Sequence, residues 1–147
     1  MKKMIFCPSR IKGSVKISGS KNSTLPILAA SLVSCYSASL ENIPNISDVN
    51  NLLIVLEKIG CTIKRKGSKL KTISSVKNVV LDFEEITKFR ASYYLMSVYL
   101  SLFKEVSIIL PGGCNIGRRP IDFHLKGFEA AGCKFYIDED KVRINAK

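Results

Sequence analysis

Glu57-Lys58-Ile59-Gly60-Cys61 returns as Glu129-Ala130-Ala131-Gly132-Cys133, 72 residues further along the chain. At the same offset Ile63 meets Phe135, Leu70 meets Val142 and Lys71 meets Arg143. Upstream, Pro44 meets Pro111 at an offset of 67, so the second copy carries five extra residues between its proline and its glycine. A fixed internal spacing of this kind marks a repeated supersecondary unit.

Each copy carries the same succession of signals. Residues 4–18 alternate loosely, with Ile5, Ile11, Val15 and Ile17 apolar, and read as one or two short strands. After Gly19-Ser20-Lys21-Asn22 a helix is expected from Ser23 or Thr24, either of which can cap it, with Pro26 in its first turn and its end near Cys35. Leu25, Ile27, Leu28, Ala29, Ala30, Leu32 and Val33 leave almost no polar face, so this helix should be buried nearly all round. A strand follows over 37–42. An amphipathic helix then begins at a Ser47 or Asp48 cap and stops at Gly60. A hairpin crosses Gly67, pairing 61–65 with 70–73, and 79–83 reads as a further strand.

In the second copy the buried helix is 91–103, with Tyr93, Tyr94, Leu95, Met96, Val98, Tyr99, Leu100 and Leu102. Its amphipathic helix runs from Pro120 to Ala131. Helices apolar on every side belong inside, with the sheets outside them. Two such units leave one side of the helix cluster uncovered, and a third is expected there.

With 147 residues and 46% hydrophobic content, the chain suits one folded domain with a real core. No apolar run approaches the roughly 18–20 residues that span a bilayer. The start, Met1-Lys2-Lys3-Met4-Ile5-Phe6-Cys7-Pro8, lacks a signal-peptide apolar region. A cytoplasmic protein with no membrane partner is expected. Five cysteines show no metal-ligand spacing, and Cys35, Cys61 and Cys133 are expected to be buried, inert thiols. The net charge of +11 predicts attraction to anions. The densest basic run, Lys64-Arg65-Lys66-Gly67-Ser68-Lys69-Leu70-Lys71, has no aromatic side chain for base stacking. A solvated hairpin is the plainer reading of it, and nucleic-acid binding is the alternative.

The five extra residues enlarge a loop, Pro111-Gly112-Gly113-Cys114-Asn115-Ile116-Gly117-Arg118-Arg119-Pro120. Its glycines allow close approach to a ligand. Positive charge from Arg118 and Arg119 biases the Cys114 thiol towards thiolate. The arginine pair suits phosphate or carboxylate, and Pro120 opens a helix whose N-terminus adds backbone donors. Cys114 can serve as nucleophile or acid, or can be a buried structural thiol. Asp122 suits the helix dipole or a substrate hydroxyl, and His124 is either a surface residue or a participant. Lys21, before the first buried helix, is either a solvated loop lysine or placed for an anion, with Asn22 a turn residue or a polar contact. Arg90 opens the second buried helix and needs an anionic partner, such as Glu84 or Glu85, or a route to solvent.

Ile17-Ser18-Gly19-Ser20-Lys21-Asn22 with Leu25-Pro26-Ile27-Leu28-Ala29-Ala30, then Arg90-Ala91-Ser92, then 110–120 with Ile121-Asp122-Phe123-His124, resemble the enolpyruvyl transferase family in its UDP-N-acetylglucosamine 1-carboxyvinyltransferase branch. The resemblance covers essentially the whole chain but only the N-terminal portion of the family's longer sequence. It implies an α/β fold of repeated strand–helix units, an inside-out α/β barrel of which about two of three units of the first lobe are present. Unit one would be about 19–83 and unit two about 84–147, while 1–18 would form strands that join the second lobe.

The implied activity is transfer of the enolpyruvyl group of phosphoenolpyruvate to the 3-hydroxyl of UDP-N-acetylglucosamine with release of phosphate. This is the first committed step of peptidoglycan synthesis, and it needs no metal or organic cofactor. The resemblance makes Cys114 the proton donor and a target of fosfomycin. Lys21 and Arg119 would hold phosphoenolpyruvate, Asn22 would contact the sugar nucleotide, and Arg90 would bind the anionic ligands. Arg119, Pro120, Ile121, Asp122 and Phe123 would cradle the uridine side. A proton donor starts as a thiol, so bound phosphate is expected to offset the arginines' pull on Cys114.

Lys-Asn and the loop cysteine favour this branch over the sister enzyme acting on shikimate 3-phosphate. Ser23-Thr24 and the second arginine, Arg118, depart from the family pattern. Since no third unit or second lobe follows Lys147, the chain alone is expected to lack activity. It would need a complementary fragment, or serve as a non-catalytic anion- or nucleic-acid-binding remnant.

Overall fold

The computed structural model of the protein describes residues 3–34, 36–77, 80–110 and 121–147. Its first half comprises α1 (Lys21–Ser34), β1 (Ser37–Leu40), α2 (Ser47–Lys58), β2 (Thr62–Lys66) and β3 (Lys69–Ile73). The second comprises α3 (Glu84–Thr87), a 3-10 turn (Arg90–Tyr93), α4 (Tyr94–Phe103), β4 (Glu105–Ile109), α5 (Asp122–Ala130), β5 (Lys134–Asp138) and β6 (Lys141–Asn145). The strands make two antiparallel three-stranded sheets, ordered β1-β3-β2 and β4-β6-β5.

The repeat extends to the register. Leu70 sits between Leu40 and Arg65, and its counterpart Val142 sits between Ile108 and Ile137. The hairpins therefore recur at 72 residues, while β1 recurs as β4 at 68, one more than the prolines suggest. Gly60 and Gly132, at the heart of the repeated motif, both have positive φ (106° and 88°). Each turns the chain from amphipathic helix into hairpin, a conformation that a side chain would strain.

Each sheet turns one face to helices and the other to solvent. The inward positions Leu70, Thr72, Val106, Ile108, Val142 and Ile144 are buried, and α1 and α2 cover the first sheet while α4 and α5 contact the second. α1 also packs on α4, joining the halves through a continuous core that includes Leu25, Leu28, Leu32, Leu95, Met96 and Tyr99. The fully buried Tyr99 donates its hydroxyl to Lys77 O at 3.0 Å, reaching back across the junction. Leu81 bonds on both sides to β4, its N–H to Ser107 O and its C=O to Ile109 N–H, each at 2.9 Å. The expected strand at 79–83 is thus a single bridge at Leu81, and Val79 lies outside the described residues.

Several expectations change. Residues 3–20 carry no strand, and Met4, Ile5, Phe6, Ile11, Val15 and Ile17 are exposed. An extended segment needs a partner edge to satisfy its backbone, and these residues have none among those described. α1 begins at Lys21, not Ser23 or Thr24, because Ser20 is the cap. Ser20 Oγ accepts from Ser23 N at 3.4 Å, and Ser20 O accepts from Thr24 N at 3.0 Å. Pro26 therefore sits in the second turn, where it lacks the N–H that would bond to Asn22 O.

Nor is α1 buried all round. Ile27 is 50% and Val33 43% exposed, along one side of the helix. α2 starts after Ile46, with no side-chain cap from Ser47 or Asp48. Cys61 is buried, and burial pushes its thiol pKa up against a backbone hydrogen bond at Ser75. Cys133 is only half-buried, and Cys35 lies outside the described residues.

The amphipathic helices explain Cys133. α2 contacts both its own sheet and α3 with the 3-10 turn of the second half, and it buries Val49, Leu52, Leu53, Val55 and Leu56. α5 contacts β5 and buries only Leu125, while every residue of β5 is exposed. Among the described residues nothing packs on α5 as α3 and the 3-10 turn pack on α2. No helix among the described residues is long and apolar enough to cross a membrane.

Gly19 fits because it has no side chain. A Cβ there would lie 1.7 Å from Asn42 O and 3.2 Å from Pro44 Cδ. Gly19→Ala must push the capping Ser20 away from the 42–44 turn, and we expect a loss of about 1–3 kcal/mol in equilibrium urea unfolding. Across the junction, Lys58 Nζ bonds Glu85 Oε2 at 2.6 Å and holds the carboxyl below its ordinary pKa. With the folded pKa depressed, this contribution is present above the unfolded value of about 4.3 and is lost as pH falls through the folded one. Unfolding of Glu85→Gln followed against pH should show a shallower acid limb than the parent below about pH 5.

Candidate functional site

Lys21 and Asn22 are the first two residues of α1, both exposed. Ser20 caps this end, and Gly19 wedges it against the 42–44 turn. The turn is itself fastened by Arg65. This guanidinium donates to Asn50 Oδ1 at 2.9 Å, Pro44 O at 3.1 Å and Ile43 O at 3.4 Å. One buttress, from β2 through 43–44 to Gly19, thus sets the position of the α1 N-terminus.

Lys21 Nζ donates to Asp48 Oδ2 at 2.8 Å, with the two side chains 46% and 35% exposed. Asp48 reads in the sequence as a helix cap, and its role as counter-ion was legible only once α1 and α2 were packed together. An exposed pair of this kind contributes at most about 1 kcal/mol. It can orient the ammonium yet give way to a bound phosphate or carboxylate.

A second group forms where the 3-10 turn meets α5. The Arg90 guanidinium lies 5.9 Å from the centre of the Tyr93 ring, and the Tyr93 ring lies 5.8 Å from that of His124. Burial pushes the Tyr93 hydroxyl pKa up, with the charge of Arg90 pulling the other way. Arg90 does not pair with the carboxylates nearest in sequence: Glu85 takes Lys58, and Glu84 takes Lys88 at 3.0 Å. The turn is held by Ser92, fully buried, whose hydroxyl lies 2.9 Å from Phe89 O and 3.0 Å from Ile86 O. Tyr93 reads in sequence as one more apolar residue of a buried helix. Its spacing of three from Arg90 was the available signal for a stacked pair.

Ile121 is buried and its carbonyl accepts from His124 N at 2.8 Å, which starts α5. Asp122 and His124 are exposed, and Phe123 is 81% exposed. Cys114, Arg118, Arg119 and Pro120 lie outside the described residues. The geometry therefore gives two cationic groups, Lys21 with Asp48 and Arg90 with Tyr93, each at the start of a helix whose apolar body enters the shared core. A cation at a helix start is a group that can take a phosphate or a carboxylate.

The chain is 43% identical over 137 residues to a protein of Caldanaerobacter subterraneus subsp. tengcongensis named UDP-N-acetylglucosamine 1-carboxyvinyltransferase 1, covering 93% of this chain and 33% of that protein. It is 42% identical over 137 residues to the UDP-N-acetylglucosamine 1-carboxyvinyltransferase of Clostridium botulinum, covering 91% and 33%. The chain thus spans about one third of the length of these curated relatives. Its fold is similar to that of the enolpyruvyl transferase NikO from Streptomyces tendae, with a TM-score of 0.77 at 18% identity over 94% of this chain and 31% of that one. The family model described as EPSP synthase (3-phosphoshikimate 1-carboxyvinyltransferase) matches residues 6–147. The chain belongs to that family, the carboxyvinyl (enolpyruvyl) transferases, and its α/β units are part of their fold.

Proposed function

We propose that this chain carries one wall of an enolpyruvyl-transfer site that takes phosphoenolpyruvate and UDP-N-acetylglucosamine and serves peptidoglycan synthesis. The observation that carries the substrate assignment is the identity of 43% to a relative named for UDP-N-acetylglucosamine, together with Lys21-Asn22 at the capped start of α1. In this reading Lys21 and Arg119 hold the phosphate and carboxylate of phosphoenolpyruvate, with Arg90 supporting them. Asn22 contacts the sugar nucleotide, and Arg119, Pro120, Ile121, Asp122 and Phe123 cradle its uridine side. The exposed Phe123 is available for such contact.

The reaction runs by addition and elimination. The sugar 3-hydroxyl gives up its proton as its oxygen bonds to C2 of phosphoenolpyruvate, while the Cys114 thiol gives its own proton to the C3 methylene. A C3 proton is then lost, which in the balance re-forms the thiol, and phosphate departs from C2 with the hydroxyl proton, restoring the double bond and leaving the enol ether. Lys21 and Arg119 act electrostatically, on the phosphate that must leave.

A second reading is favoured by the exposure of Ile27 and Val33 and by the scant burial on α5. Those faces suit docking of further units of the same fold, on this polypeptide or another. Without them the site has one wall, and the chain binds anions without turning them over. Phosphate release from phosphoenolpyruvate in the presence of UDP-N-acetylglucosamine decides between the two. The transferase reading expects release that Cys114→Ser lowers by about 100-fold or more. Absence of release at high protein concentration assigns the chain alone to the anion-binding reading.

A further inference from the structure

The two sheets share one register, so they provide an internal comparison of their solvent faces. In the second sheet the outward cross-strand neighbours are Tyr136 opposite Arg143 and Asp138 opposite Lys141. Both are favourable pairs, an aromatic with a cation and an acid with a base. The corresponding neighbours in the first sheet are Lys64 opposite Lys71 and Lys66 opposite Lys69. Like charges directly opposite one another destabilise a sheet. The four outward positions carry a charge of +4 in the first sheet and +1 in the second.

These lysines rim an open groove of about 420 Å³ with Ser39 and Glu41. Glu41 takes one of them, Lys69, at 2.6 Å. Lys64, Lys66 and Lys71 are exposed and have no ion-pair partner among the described residues. Arg65, central to the basic run in sequence, points inward and is occupied by the 43–44 turn and Asn50. The face is thus an array of exposed lysines around an open groove.

We propose that the outer face of β2 and β3 docks the phosphodiester backbone of duplex nucleic acid, without reading its sequence. Charge complementarity selects a dense polyanion, because three free ammonium groups occupy one small surface. Lysines are point charges that hold phosphates without the forked geometry that reads bases. No aromatic side chain stands on this face to stack unpaired bases, which favours a duplex over a single strand. The face also lacks the apolar anchors that an acidic protein partner would need. This docking is independent of the transferase reading, since it uses none of Lys21, Asn22, Arg90 or Cys114.

Fluorescence anisotropy with a labelled mixed-sequence duplex of about 20 base pairs tests it on the chain as it stands. Three phosphate contacts give a slope of log K against log salt near −2.7, or about a 40-fold loss between 50 and 200 mM salt. The triple variant Lys64→Gln, Lys66→Gln, Lys71→Gln should abolish this binding. A control of equal charge change, Lys126→Gln, Lys134→Gln, Lys147→Gln, should retain it within a few-fold. Glu41→Gln, by releasing Lys69, should steepen the slope towards four contacts. Equal loss in the control would assign the attraction to the whole-protein field and overturn the proposal. So would absence of duplex binding at 50 mM salt, or tighter binding of polyglutamate or of phosphatidylglycerol vesicles than of the duplex.

Discussion

The contact between α1 and α4 is the constraint on which the rest depends. Each helix has an apolar face broader than the contact it makes with its own three-stranded sheet. Packed together, Leu25, Leu28 and Leu32 from one and Leu95, Met96 and Tyr99 from the other become part of a single core. Buried side chains of this size are worth roughly 1.5–3 kcal/mol each relative to exposure. That driving force puts the helices inside and the sheets outside, and it leaves the helix starts to carry polar chemistry. Lys21 and Arg90 occupy those starts.

The same logic accounts for what is left uncovered. α2 is sandwiched between the first sheet and the opening of the second half, so its apolar stripe is buried. α5 has the equivalent place in the second half, and among the described residues nothing packs on it as α3 and the 3-10 turn pack on α2; Phe123 and the whole of β5 meet solvent while Cys133 is only half-buried. Ile27 and Val33 on α1 belong to the same deficit.

Much of this was legible in the sequence because apolar periodicity and turn glycines are local signals. The Gly60/Gly132 echo gave both hairpins, and the apolar run in 91–103 gave α4, which buries Leu95, Met96, Val98, Tyr99 and Leu100 but leaves Tyr94 and Leu102 exposed. What stayed hidden required tertiary contact. Ser20 outranked Ser23 and Thr24 as cap because Gly19 is wedged on the 42–44 turn. Segment 4–18 alternates like a strand but pairs with no edge among the described residues. Asp48 looked like a cap and is the counter-ion of Lys21, and Glu84 and Glu85 found lysines instead of Arg90. Arg65 looked like part of a basic patch and is a structural staple, whereas the lysines around it are opposed in pairs that only the register reveals. The family motifs were legible as a resemblance, yet Cys114, Arg118, Arg119 and Pro120 lie outside the described residues.

The central claim, that the halves stand on one shared core, is tested most directly by native-state hydrogen exchange on Leu28→Ala. Leu28 is fully buried in α1, and its truncation should cost about 2–5 kcal/mol. The account predicts that amide protection in β3 and in β6 falls together by the same amount. Loss confined to β3, with β6 exchanging as in the parent, would show two independent halves and contradict it.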